Sequence, residues 1–184
     1  SHPNASANAL TTARGLLANA TPSSSLTHGA ITRFERALAR NKNTSTTDLT
    51  MLSCHDNPLV REAVGSNLNT DVADLVALSS GTDFNVRRAA AKNSNLPRET
   101  MLAMSVDDNV HVRYAVARTS SIDKELVALL VSQCNNREDD ADLDVLHALA
   151  CNPNVSVDDC FDLEQPSHRA ILAEYSEAPH TLRT

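Results

Sequence analysis

The dipeptide Val-Arg recurs at Val60-Arg61, Val86-Arg87 and Val112-Arg113, each pair 26 residues from the last. Three more columns keep the step: Ala63, Ala89 and Ala115; Leu52, Leu78, Met104 and Leu130; Leu49, Leu75, Met101 and Val127. A chain written in copies this short cannot bury an apolar side within one copy. Each copy must lend its surface to the next, which makes the period a solenoid signature.

Weaker copies extend the register. RFERALARNKN, Arg33 to Asn43, puts Phe34, Ala37 and Asn41 in the Val, Ala and Asn columns, with Glu35 where the others carry Arg. VLHALACNPN, Val145 to Asn154, fits after a seven-residue surplus that falls in CNNREDDAD, residues 134–142. A degraded copy, SHRAILAEYSEAP, places Arg169 in the Arg column, and LLANATPSS reads as a worn fragment upstream. The resulting division is a divergent N-terminal cap over 1–32, about five repeats over 33–163, and a truncated C-terminal copy over 164–184.

Within a copy, Val72, Leu75, Val76 and Ser79 share one side at helical spacing, as do Val86, Ala89 and Ala90. Two helices per copy follow. Twenty-six residues are few beside the roughly 40 to 47 of two-helix arrays such as HEAT and armadillo, so one helix is expected to be a stub, either short α or a 3₁₀ turn. The small Ala column predicts close helix contact. Paired asparagines (Asn41 and Asn43, Asn67 and Asn69, Asn93 and Asn95, Asn152 and Asn154) recur at the turns, with Thr119 and Ser121 in the same phase of one copy. The first suits a left-handed helix stop and the second, or the residue after it, an N-cap.

Composition agrees with an all-α chain. Aromatic residues are 3%, Trp is absent and there are four Gly, so the core is made of Ala, Val, Leu and Met. Cys54, Cys134, Cys151 and Cys160 form no C-x-x-C pair and read as structural thiols. No apolar run is long enough for a membrane span, and with no signal peptide a reducing, cytoplasmic setting is expected.

The strings VREAVGSNLNTDVADLVALSS, VRRAAAKNSNLPRETMLAMS and VRYAVARTSSIDKELVALL resemble the leucine-rich repeat variant family. The resemblance implies a right-handed superhelix of alternating α and 3₁₀ helices, broadly HEAT-like. The copies here are slightly longer than the usual member's. The iron–sulfur cluster of one family member has no matching cysteines here, so no cofactor is carried over.

Two sets of basic residues follow from the columns. Arg61, Arg87 and Arg113 each come after an acidic turn, containing Asp56, Asp83 or the Asp107-Asp108 pair, and are expected to form a structural ladder. A guanidinium fork suits carboxylates and helix-end carbonyls equally. Arg36, Arg40, Arg88, Lys92 and Arg118 lie in two other columns that Glu62, Ser66 and Tyr114 interrupt. They are either a solvated face or a ligand-facing strip.

Residues 1–100 carry ten Lys and Arg against eight Asp and Glu, and residues 101–184 six against fifteen, so a net −7 is distributed as +2 and −9. That balance disfavours nucleic acid, whose binders concentrate positive charge on one face. No phosphate-binding glycine loop, G-x-S-x-G or H-E-x-x-H occurs, and the histidines share no column and are expected at the surface. The sequence therefore points to a non-enzymatic scaffold, without metal or cofactor, that binds a protein or peptide. Nucleic-acid binding through the broken basic columns is the alternative. The acidic surplus EDDADLD, Glu138 to Asp144, is expected to project as a flexible bulge or to carry a function of its own.

Overall fold

The computed structural model describes residues 25–134 and 140–155. The N-terminal cap up to residue 24, the last copy with Arg169, Cys160, and the histidines at 168 and 180 lie outside the described residues. So does the middle of the acidic surplus. The chain divides into two compact units, Ser1–Asn95 and Leu96–Thr184. Among the described residues there are nine α-helices and no strand.

The first unit contains α1 (Ser25–Arg40), α2 (Thr46–Ser53), α3 (Pro58–Gly65), α4 (Val72–Ser79) and α5 (Phe84–Ala91). Helix α3 packs between α1 and α5, while α2 rests on α3 and α4 on α5. The second unit contains α6 (Arg98–Met104), α7 (Val110–Ala117), α8 (Lys124–Gln133) and α9 (Asp140–Ala150), with α9 packed on α7 and α8.

No stub is needed to fit 26 residues. Helices α2 to α5 have eight residues each, joined by connections of alternately four and six, so both helices of a copy are short α-helices and the 3₁₀ alternative is not found. Such short helices are marginal alone. Capping and burial hold them. Ser45 caps α2, its hydroxyl oxygen accepting from the Asp48 amide while the hydroxyl donates to the Asp48 carboxylate at 2.7 Å. Asn57, Asp71, Asp83, Asn109 and Asp123 cap α3, α4, α5, α7 and α8 through their side chains.

The apolar columns line the interior. Leu49, Leu52, Val60, Ala63, Val64, Leu78, Val86 and Ala90 make one cluster in the first unit. Met101, Met104, Val112, Ala115, Leu126, Leu130, Val145 and Leu149 are buried in the second. Phe34 departs from its column: it is 37% exposed where Val60, Val86 and Val112 are 0 to 1%. Close approach is evident at Gly65, where an added Cβ would stand 3.2 Å from the Ala90 nitrogen and 3.3 Å from the Ala89 Cβ.

The asparagines work differently from expectation. No residue has a left-handed φ among those described, and the N-caps Ser45, Asp71, Pro97 and Asp123 fall two residues beyond the second position of each pair. Instead the first asparagine reaches the preceding copy. Asn67 Nδ2 donates to the carbonyls of Ala39 and Asn41 at 2.7 and 3.0 Å, and Asn93 Nδ2 to those of Gly65 and Asn67 at 2.9 Å each. In the second unit Asn152 Nδ2 donates to Ala117 and Thr119 at 2.8 and 2.9 Å, across the seven-residue surplus. Each Oδ1 accepts the amide two residues on. Asn69 and Asn95 add bonds to the Lys42 and Leu68 carbonyls, both at 2.7 Å. The amide thus gives the helix-end carbonyls of Ala39, Gly65 and Ala117 a donor from the next copy, while the Asn41 and Asn67 carbonyls accept the turn amides of Thr44 and Thr70 as well.

The acidic surplus is partly helical. By the repeat α9 should begin at residue 143, yet it begins at Asp140, and α8 runs to Gln133. Asp142 is buried, so this part of the stretch does not project as a bulge.

Candidate binding surface

The ladder arginines staple their own turns. Arg61 Nη1 donates to the carbonyls of His55 and Asp56, Arg87 Nη1 to those of Gly81 and Thr82, and Arg113 Nη1 to those of Asp107 and Asp108. For Asp56 and Asp108 the acceptor is thus the backbone oxygen, not the carboxylate. The Asp83 carboxylate caps α5 through the Asn85 and Val86 amides. Arg113 also pairs with Asp142 at 3.0 Å, a link from one copy to the next.

Glu35, which stands in the arginine column, changes the chemistry at its copy. Its buried carboxylate lies 2.8 Å from His55 Nε2, while His55 Nδ1 accepts the Asn57 amide at 2.9 Å. With Nδ1 accepting, the ring proton sits on Nε2 and points at Glu35. His55 is therefore a mostly buried connector between copies, against the expectation of surface histidine. Sequence reading missed this pair because the two residues share no column. The acid in an arginine column was the available signal.

Four of the five basic candidates belong to the first unit. Arg36 and Arg40 lie on α1, Arg88 on α5, and Lys92 is the C-cap of α5. Arg40 and Lys92 are exposed, Arg36 and Arg88 half-buried. Glu62 of α3 and Ser66, the C-cap of α3, stand in the same columns between them. Among the described residues these four cations make no side-chain hydrogen bond or ion pair, and the Arg36 Nε is buried without a partner. Arg118 lies in the second unit, its Cζ 5.8 Å from the Tyr114 ring centre and its Nη1 3.2 Å from the Tyr114 hydroxyl.

Two shallow hollows of about 100 Å³ each run between α7 and α9, one lined by His111, Tyr114 and Asp144, the other by Arg118, Cys151 and Pro153. Cys151 Sγ lies 3.4 Å from His147 Nε2. Cys134 is buried, donates to the Leu130 carbonyl at 3.3 Å, and has its thiol pushed up to about 12, by burial first and the neighbouring Asp142 second. Cys54 is exposed. Arg98 forks onto Asp123 and Glu125 at 2.6 and 2.7 Å, and the Asp123 carboxyl is held below its ordinary value chiefly by that bond. Among the described residues no three His, Cys, Asp or Glu side chains cluster as metal ligands, and no helix is long and apolar enough to cross a membrane.

A hollow of about 160 Å³ opens in the first unit between α2, α3, α4 and α5. Ala77, Leu78 and Val86 are among its apolar lining, and Arg61, Asp74 and Asp83 are its charged lining. Compared with known proteins, the chain matches no family model, no curated protein and no solved structure.

Proposed function

We propose that the chain is a non-enzymatic helical-repeat scaffold of the leucine-rich repeat variant, HEAT-like kind, whose copies stack as a right-handed solenoid and bind another protein or a peptide. The asparagine ladder carries this reading. Buried amides at Asn67, Asn93 and Asn152 each bond one copy to the one before and hold its spacing, and a rigid, periodic polar surface binds an extended partner with little ordering cost. Four cations without a side-chain partner among the described residues, Arg36, Arg40, Arg88 and Lys92, favour an acidic segment as the partner. The setting is taken as cytoplasmic.

Fluorescence anisotropy with acidic peptides and with a DNA duplex tests the proposal. Saturable binding of an acidic peptide, lost on Arg88→Glu with the melting temperature unchanged, is the expected result. Duplex binding whose log affinity falls with log salt at about −0.9 per phosphate contact, with no peptide bound, would instead make this a nucleic-acid protein. Binding of neither sinks both readings.

A further inference from the structure

Arg61 and Asp83 stand in the same relation as Arg113 and Asp142. Each arginine follows the column valine of its copy, and each acid lies three residues before the next column valine. In the second unit this pair is closed at 3.0 Å. In the first unit it is open. Asp83 is the N-cap of α5, so its Oδ1 is turned to the Asn85 and Val86 amides, whereas α9 starts early and carries Asp142 within its first turn. Arg61 spends Nη1 on its own turn and makes no ion pair among the described residues, so Nε and Nη2 remain without a protein partner. Both residues line the 160 Å³ hollow.

We infer that this hollow is a subsite for a primary carboxamide, the side chain of an Asn or Gln on the bound peptide. The inference rests on the peptide-binding reading above. A carboxamide is planar, uncharged, and both donates and accepts. Its oxygen accepts from Arg61 Nη2 or Nε, its N–H donates to Asp83 Oδ2, and its short apolar stem rests on Ala77 and Val86. Charged guests fit less well. A carboxylate would face Asp83 and Asp74, and a guanidinium would face Arg61 across a space too small for two cations to be separately hydrated. Asp74 is already satisfied, since Oδ2 accepts from Thr50 at 2.6 Å and Oδ1 from Ser53 at 3.0 Å, so it borders the hollow as a fixed wall.

NMR of the full chain, observing the Arg61 Nε–H and the Gly81 amide, gives the test, with propionamide, propionate and propylguanidinium as probes. Propionamide should produce saturable shifts at both signals. Ala77→Leu, at an exposed helix position that lines the hollow, should abolish them by occupying its space. Asp83→Asn keeps an N-cap of the type Asn57 and Asn109 supply, and should weaken propionamide about tenfold or more, the worth of a hydrogen bond to a charged group. Equal or stronger shifts with propionate or propylguanidinium overturn the assignment, as do propionamide shifts that survive both substitutions. Saturable peptide binding indifferent to Asn and Gln would sink this subsite and leave the scaffold reading standing. Propionamide shifts with no peptide bound would do the reverse.

Discussion

At the scale of single residues, the buried asparagine amide is the group whose loss should be felt most. Asn93 supplies two donors to carbonyls of the preceding copy and one acceptor to the Asn95 amide. Asn93→Ala leaves the Gly65 carbonyl unpaired while the Asn67 carbonyl keeps only the Thr70 amide, and urea denaturation should register a loss of about 1–3 kcal/mol. Asn93→Asp keeps the acceptor and sets a charge against the same carbonyls, so it should cost more than the alanine. Cys134 gives a pH signature. Its thiol titrates near 9 when free and near 12 in the fold, so the protonated form is favoured by folding. The stabilisation is present below pH 9 and is lost as pH rises towards 12. At pH 8 a thiol reagent should modify exposed Cys54 readily and Cys134 only as fast as the protein opens. Equal rates for the two would contradict the burial described.

Among elements, the contact between α3 and α5 is set by small side chains. Gly65 and Ala89 meet there, and Ala89→Leu should overpack the seam and cost about 1–3 kcal/mol, read as a lower melting temperature. An unchanged transition would mean the helices approach elsewhere. The columns of Val, Ala and Leu made the helices and their buried positions legible in the sequence, because period and burial are the same fact for a stacked copy; Val72 and Val76, read onto the side of Leu75 and Ser79 but in no column, are exposed. Three things were not legible. Helix length was underestimated: 26 residues leave room for two eight-residue helices once the turn is held by side chains such as Asn67 and Arg61, which bond backbone carbonyls and so shorten the connection needed. The role of the asparagines was misassigned because an amide suits a left-handed stop and a donor to the neighbouring copy equally well, and sequence alone does not say which carbonyls lie within reach. The hollow beside Arg61 was hidden for a related reason. Its partner acid was expected to be a ladder rung, and only the early start of α9 distinguishes the closed pair from the open one.

For the molecule as a whole, charge and periodicity act together. Excess negative charge falls in residues 101–184, while the four cations without a side-chain partner among the described residues lie in the first unit. Binding of an acidic peptide should therefore weaken with added salt, and replacing both Arg88 and Lys92 by Glu should abolish that salt dependence along with the affinity, as anisotropy at two ionic strengths would show. A further consequence follows from the direction of the asparagine bonds. A copy that carries this asparagine, as at Asn67, Asn93 and Asn152 but not at Thr119, donates through its amide to carbonyls of the copy before, so a 26-residue block copied in phase by tandem duplication of the coding sequence brings that joint with it. Asn152 keeps its two bonds across an unequal spacing. Growth or shrinkage by whole copies is accordingly an easy evolutionary step for this chain, and lineages that differ in copy number need not differ in the joint between copies.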